Sequence, residues 1–360
     1  MRCILLNPGP VSLSESVRKA AVSSDLSHRE PEFVALQDRL RQGLLDVYGC
    51  NSEIWAAILL GGSGTTAVEA MMSSMLPRNA HVLVVENGDY GERTAQIAQI
   101  HGISCGVINH DSLEEIDYRR VDEMLGGGLY THLAAVLHET STGRVNDIRR
   151  LARICEQHGV SLLLDAVSGF GGEDLPLDSP ALAACAGTAN QCLHGIPGLS
   201  FVLARRSALE HCVDPPRSLS LHLPLWHKSQ ENQSTPFTPP INAMLALEKA
   251  LENLQKQGGW PKRKAHYGEL SDQVRACLEG FGVEPLLGES GTSAVLHAYR
   301  VPEGFSFKQI HDGLKRWGFV ISSGHGSQSD SVFRISTMGD ITHYDVERLL
   351  AAIETVFKKQ

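Results

Sequence analysis

Three short segments concentrate the groups that could do chemistry. The first is Gly61-Gly62-Ser63-Gly64-Thr65-Thr66. Small residues let a ligand approach the backbone, the N–H groups and dipole of a helix starting there favour an anion, and Ser63, Thr65 and Thr66 add hydroxyls. This is a phosphate cup. The same stretch, Gly62 to Ala67, also fits the G-x-G-x-x-A dinucleotide pattern, with Glu86 standing 22 residues after Gly64. The second segment is Leu162-Leu163-Leu164-Asp165-Ala166-Val167, a carboxylate closing an apolar run. Such a group can hold a protonated ring nitrogen or a metal. No second carboxylate or histidine stands at ligand spacing, which disfavours a metal. The third is His138-Glu139-Thr140-Ser141-Thr142-Gly143-Arg144, a hydroxyl-rich turn able to hydrogen-bond a ring substituent.

The elements around these segments explain how they could meet. Short apolar runs at 56–60, 82–86, 103–108, 133–138, 160–165 and 199–204 alternate with helical patterns at 65–75, 91–101, 119–125 and 148–157. That rhythm predicts an α/β fold, with helices on both faces of a mostly parallel sheet. Ligands of such sheets bind outside the carboxyl ends of the strands, where all three segments fall. Together, a phosphate cup, a ring-nitrogen carboxylate and a hydroxyl turn describe a pocket for pyridoxal 5'-phosphate, whose protonated ring acts as an electron sink. A dinucleotide site has no use for Asp165 and the hydroxyl turn together. Residues 211–240, rich in Pro, Ser and His, read as irregular, leading to a helix over 241–257 that Gly258-Gly259 ends. From about 281 the pattern becomes strand, helix (306–317), strands (319–322 and 332–336) and helix (344–357), a smaller α+β domain. The reading is an N-terminal segment (1–20) packed near the small domain, a large cofactor-binding domain (21–258) and a small C-terminal domain (259–360).

The 360 residues carry a net charge of -9, which argues against a nucleic-acid surface, and 42% are apolar, enough for a large core. No apolar run approaches the length of a membrane span, and the first residues are too short for a signal peptide. The eight cysteines form no CxxC and no zinc spacing, so they read as reduced thiols of a cytoplasmic protein.

The sequence resembles the class V (fold type I) pyridoxal-phosphate aminotransferases over nearly its whole length. The resemblance runs through Asn7-Pro8-Gly9-Pro10, Gly62-Ser63-Gly64, Asn87-Gly88-Asp89-Tyr90-Gly91-Glu92-Arg93, Asp165-Ala166-Val167-Ser168-Gly169-Phe170, Ala189-Asn190-Gln191-Cys192 and Phe333-Arg334-Ile335. Within the family it is similar to the branch that moves an amino group between an aminophosphonate and a 2-oxo acid. The resemblance implies that Ser63, Gly64 and Thr65 cradle the cofactor phosphate, with Asn190 reaching toward it. Tyr90 would stack on the ring, Val167 would pack on its other face, and Thr140 would bond its hydroxyl side. Asp165 would pair with the ring nitrogen and Arg334 would clamp the substrate's anionic group. Thr238 would reach the phosphate of a second subunit, implying a homodimer with shared sites. Arg144, an extra cation beside the hydroxyl turn, is a candidate partner for a phosphonate or carboxylate.

One position departs from the family. Its Schiff-base lysine follows the position of Asn190; here that residue is Gln191. An amide nitrogen is neither a useful nucleophile nor a proton shuttle. The expectation is impaired transamination, with the cofactor bound non-covalently or present as an external aldimine with substrate. The exchange fits an engineered variant, a natural homologue that has lost transamination, or a site using another base. By sequence His194 is the nearest such base, with Lys228 a weaker one. A non-transaminating protein that keeps the pocket for the cofactor or another anionic small molecule, or that performs a different lysine-independent reaction, is the alternative.

Overall fold

A computed structural model describes residues 2–288 and 290–358. At its centre is a seven-stranded sheet in the spatial order Trp55–Gly61, Leu199–Arg205, Leu182–Thr188, Ser161–Asp165, His132–Val136, His81–Glu86, Ser104–Asn109. The neighbours from Leu182–Thr188 to Ser104–Asn109 pair in parallel, and Leu199–Arg205 runs antiparallel to both of its neighbours. A strand sends successive side chains to opposite faces. In Trp55–Gly61, accordingly, Trp55, Ala57 and Leu59 enter one core while Ala56, Ile58 and Leu60 enter the other.

Helices cover both faces, so near-continuous apolar strands are buried twice. Gly64–Met75 and Asp89–Ile100 lay Ala67, Met71, Met72 and Ala98 on one face. Pro31–Asp46, Ile148–His158 and Ile241–Lys256 lay Phe33, Leu40, Leu151 and Leu247 on the other. The C-terminal part builds a three-stranded antiparallel sheet from Leu296–Arg300, Val332–Ser336 and Ser322–Ser323. Its core joins Tyr299, Phe333 and Ile335 to helices Gly259–Gly280, Phe307–Arg316 and His343–Phe357. Ile4–Leu5 pairs in parallel with Phe319–Val320, and Ile4 and Leu6 are buried in that same core. No helix among the described residues is long and apolar enough to cross a membrane.

The structure corrects the sequence reading in several places. Leu182–Thr188 is a fully buried strand that the sequence did not announce. The segment 211–240 contains a helix, Leu223–Glu231, with Pro224 in its first turn. Gly258 does end the preceding helix in a left-handed conformation, but a 22-residue helix, Gly259–Gly280, begins at once. The run at 133–138 stops at Val136; His138–Glu139 instead forms a two-residue ladder with Arg144–Val145.

Candidate cofactor site at the strand ends

The phosphate cup forms where strand Trp55–Gly61 turns into helix Gly64–Met75. Gly62 takes φ 140°, and a side chain there would collide with Thr66. Ser63 caps the helix by accepting from the Thr66 N–H, and Thr66 returns the bond to the Ser63 N–H. The first N–H groups of a helix have no acceptor within it, so those of Gly64 and Thr65 remain for a ligand. A Cβ on Gly64 would strike the Val167 side chain, which places Val167 directly beside the cup.

Asp165 ends its strand with 8% exposure, its Oδ1 accepting from the Val167 N–H at 2.9 Å. Among the described residues it has no ion-pair partner. Burial pushes its carboxyl up to about 6, with the Val167 bond and the Arg93 charge pulling back. Glu139, fully buried, accepts from the N–H groups of Tyr90 and Gly91 and from the Ser141 hydroxyl. Burial raises it to about 7 against those bonds. It fastens the start of helix Asp89–Ile100 and with it the Tyr90 ring. Gly88, at φ 156°, is needed there because a Cβ would run into Glu139.

Around Tyr90 sit two groups that sequence reasoning did not assign, Arg93 and His325. The Arg93 guanidinium carbon lies 4.6 Å above the ring, and its Nη1 donates to Thr65 Oγ1 at 3.3 Å. His325 stands 6.3 Å from the ring and pairs with Asp89 at 3.2 Å. Arg93 sits one helical turn after Tyr90, and that i, i+3 spacing was the available signal. Arg334, 5% exposed, donates through Nε to Ser323 O and through Nη1 to Thr140 O, each at 2.8 Å, so it meets the hydroxyl turn. Burial holds its value below that of a free arginine.

Asn190 accepts from the Thr188 hydroxyl at 2.7 Å, and the backbone of Gly9 rests against Asn190 and Gln191. The Gln191 Oε1 is buried and has no hydrogen-bond partner. Two candidates point elsewhere. His194, at φ 65°, uses Nε2 to accept the Gly339 N–H at 3.0 Å and to meet the Tyr267 hydroxyl. Burial pushes it well below the usual histidine value, so it is held between elements as a neutral ring. Arg144 is 4% exposed and donates to Leu113 O at 2.6 Å and Ser112 O at 3.5 Å, so its fork serves backbone carbonyls. Thr238 and Lys228 are exposed. A cavity of about 780 Å³ lies around Glu173, Lys264 and His297.

The residues present suit a phosphorylated pyridine aldehyde: free N–H donors at a helix start, a buried carboxylate with no ion-pair partner among the described residues, an aromatic ring and a valine, and a buried amide oxygen with no partner. Fold and site together define a pyridoxal-phosphate-dependent protein of fold type I. The class-V aminotransferase family matches residues 14–349, and the chain belongs to that family. Its cofactor is pyridoxal phosphate. The chain is 33% identical to a 2-aminoethylphosphonate–pyruvate transaminase of Phocaeicola vulgatus over 99% of both chains. It is 36% identical to one of Vibrio cholerae over 98% of this chain and 96% of the other. Among solved structures it is similar to an aspartate aminotransferase of Thermus thermophilus, with TM-score 0.90, 26% identity and 99% coverage of both chains.

Proposed function

We propose that this chain holds pyridoxal phosphate reversibly, with no covalent bond to the protein, and receives an aminophosphonate-like amino substrate, with ordinary transamination to a 2-oxo acid impaired. The observation that carries this is the Gln191 side chain, whose buried Oε1 has no partner, at the position to which the resemblance assigns the family's lysine. In the proposed site, the N–H groups of Gly64 and Thr65 and the Ser63 and Asn190 side chains bind the phosphate. Thr238 of a second copy joins them, which makes the working unit a homodimer. Tyr90 and Val167 hold the ring between them and exclude water from its faces. Asp165 keeps a proton on the ring nitrogen, and Thr140 orients the ring. Arg334, with two of its nitrogens fixed by carbonyls, offers Nη2 to the anionic end of the substrate. Bound there, the cofactor supplies an electron sink for charge left on a carbon beside an amino group. Gln191 can fill the space of a lysine and donate or accept a hydrogen bond, but it neither attacks an aldehyde nor carries a proton between carbons.

The test is borohydride reduction of the protein saturated with pyridoxal phosphate, followed by peptide mass spectrometry. The expected result is spectroscopic binding without a reduced adduct on any lysine; an adduct on a lysine overturns the proposal. Gln191→Lys should then give the adduct at 191 and recover amino transfer to pyruvate. No gain from that variant counts against the assigned roles.

A further inference from the structure

Away from the cofactor pocket, the C-terminal part brings two imidazoles and a carboxylate together. His266 and Glu269 sit three residues apart on helix Gly259–Gly280, a spacing that puts both side chains on one face. His343 opens helix His343–Phe357, which packs beside it and is started by the Thr342–Asp345 capping box. One ligand atom from each of the three residues lies within 4.8 Å of the others. His343 Nε2 is 3.9 Å from Glu269 Oε2, and the two imidazoles meet edge to face at 5.4 Å between centroids. His266 Nε2 lies 3.1 Å from the backbone carbonyl of Ile341, so it must carry the proton and donate it. The lone pair is then on Nδ1. A bond from one imidazole nitrogen to a carbonyl, freeing the other, is how metal-binding histidines are oriented.

We infer that His266, Glu269 and His343 form a binding site for a divalent zinc-like cation. Two histidines and one carboxylate, with remaining positions open to water, are a donor set that suits Zn²⁺, and imidazole favours it over hard cations such as Mg²⁺. Glu269 and His343 are exposed, so their side chains have room to turn toward a shared ion. The metal would tie the first turn of the last helix to helix Gly259–Gly280. His266 and His343 also border a cavity of about 440 Å³ whose wall includes His194, Tyr267 and Gly339. Metal binding would therefore stiffen the seam against which the loop carrying Gln191 rests, since the Gly339 N–H donates to His194 and the His194 N–H to Gln191 O.

The experiment is calorimetric titration of ZnCl₂ into the full-length, chelator-stripped chain, with Co²⁺ absorption as a second readout of the ligand set. The expected result is one micromolar site per chain and a higher melting temperature with zinc. His343→Ala and Glu269→Gln should each weaken the site by more than about tenfold. They should also change the Co²⁺ spectrum, with the far-ultraviolet circular dichroism unchanged. The chain has 16 histidines, so zinc binding of equal strength and stoichiometry in both variants would place the metal elsewhere and overturn the assignment. An absence of micromolar binding would overturn it as well.

Discussion

Asp165 and Glu139 are carboxyls whose burial holds them above their ordinary values, at about 6 and about 7. For a carboxyl raised in the folded state the sign is opposite to the usual one. Its protonated form is favoured by folding, so stability falls as pH rises from the unfolded value, near 4, through the folded one. At roughly 1.4 kcal/mol per unit, an ionised Asp165 in the cofactor-free protein costs up to ~3 kcal/mol. Asp165→Asn should therefore exceed the parent in melting temperature by a margin that opens at about pH 4 and levels off above about pH 7. Saturating cofactor should erase that gain, because in the proposed site the parent carboxylate faces a ring cation. A gain independent of pH would show that the carboxyl is not strained by burial. Arg93 gives a second test. Its guanidinium touches Thr65 Oγ1 in the cup, so Arg93→Met should lower affinity for pyridoxal phosphate by about tenfold or more, the worth of a charge-assisted bond. Affinity for unphosphorylated pyridoxal should change much less, as measured by fluorescence titration. The sequence made Asp165 and the cup legible because a carboxylate after three leucines and a Gly-Ser-Gly turn are local signals. Arg93 and Glu139 were not assigned roles, because a helical arginine ordinarily reads as solvated and a glutamate in a hydroxyl-rich turn as exposed. Only the packing of one helix start onto the turn reveals otherwise. The partners of His194 and Arg144 were illegible for the converse reason: nearness in sequence does not fix the direction of a side chain, and theirs bond Gly339, Tyr267 and the carbonyls of Ser112 and Leu113.

At the scale of elements, six of the seven central strands stood out as runs of Val, Ile, Leu and Ala. The strand Leu182–Thr188 did not, because Leu-Ala-Ala-Cys-Ala-Gly-Thr has little β-branched content and its place is set by neighbours on both sides. Helix Gly259–Gly280 was hidden by two glycines and a proline at its start, where proline is tolerated in the first turn. The small residues of the cup are demanding in the opposite way. Gly64 abuts Val167 so closely that Gly64→Ala must move the helix start or the strand end. Overpacking of this kind costs about 1–3 kcal/mol. The expected outcome is a lower melting temperature together with a weaker cofactor complex. A variant with full affinity and unchanged stability would mean that the cup and Val167 are not held against each other.

Across the whole molecule, the fold class was the most legible property, because alternation of strand and helix follows from local pattern while the pairing of distant segments does not. The proposed homodimer belongs to this scale. Thr238 and Phe237 are exposed on a single chain, and Leu219 stands 70% exposed in the same stretch. Sedimentation equilibrium should give twice the 39.1 kDa of one chain, and Thr238→Ala should weaken phosphate-dependent cofactor binding without dissociating the pair. A monomer that binds cofactor fully would remove the shared site.

The pairing of Ile4–Leu5 with Phe319–Val320 has a consequence for biosynthesis. Ile4 and Leu5 must wait for partners made more than three hundred positions later. Until then the Asn7–Pro10 loop is held from its C-terminal side alone, where Val17 and Ala21 pack on Ala246 and Ala250. The central sheet can fold while translation continues, but this two-stranded edge closes only once Phe319 and Val320 have been made.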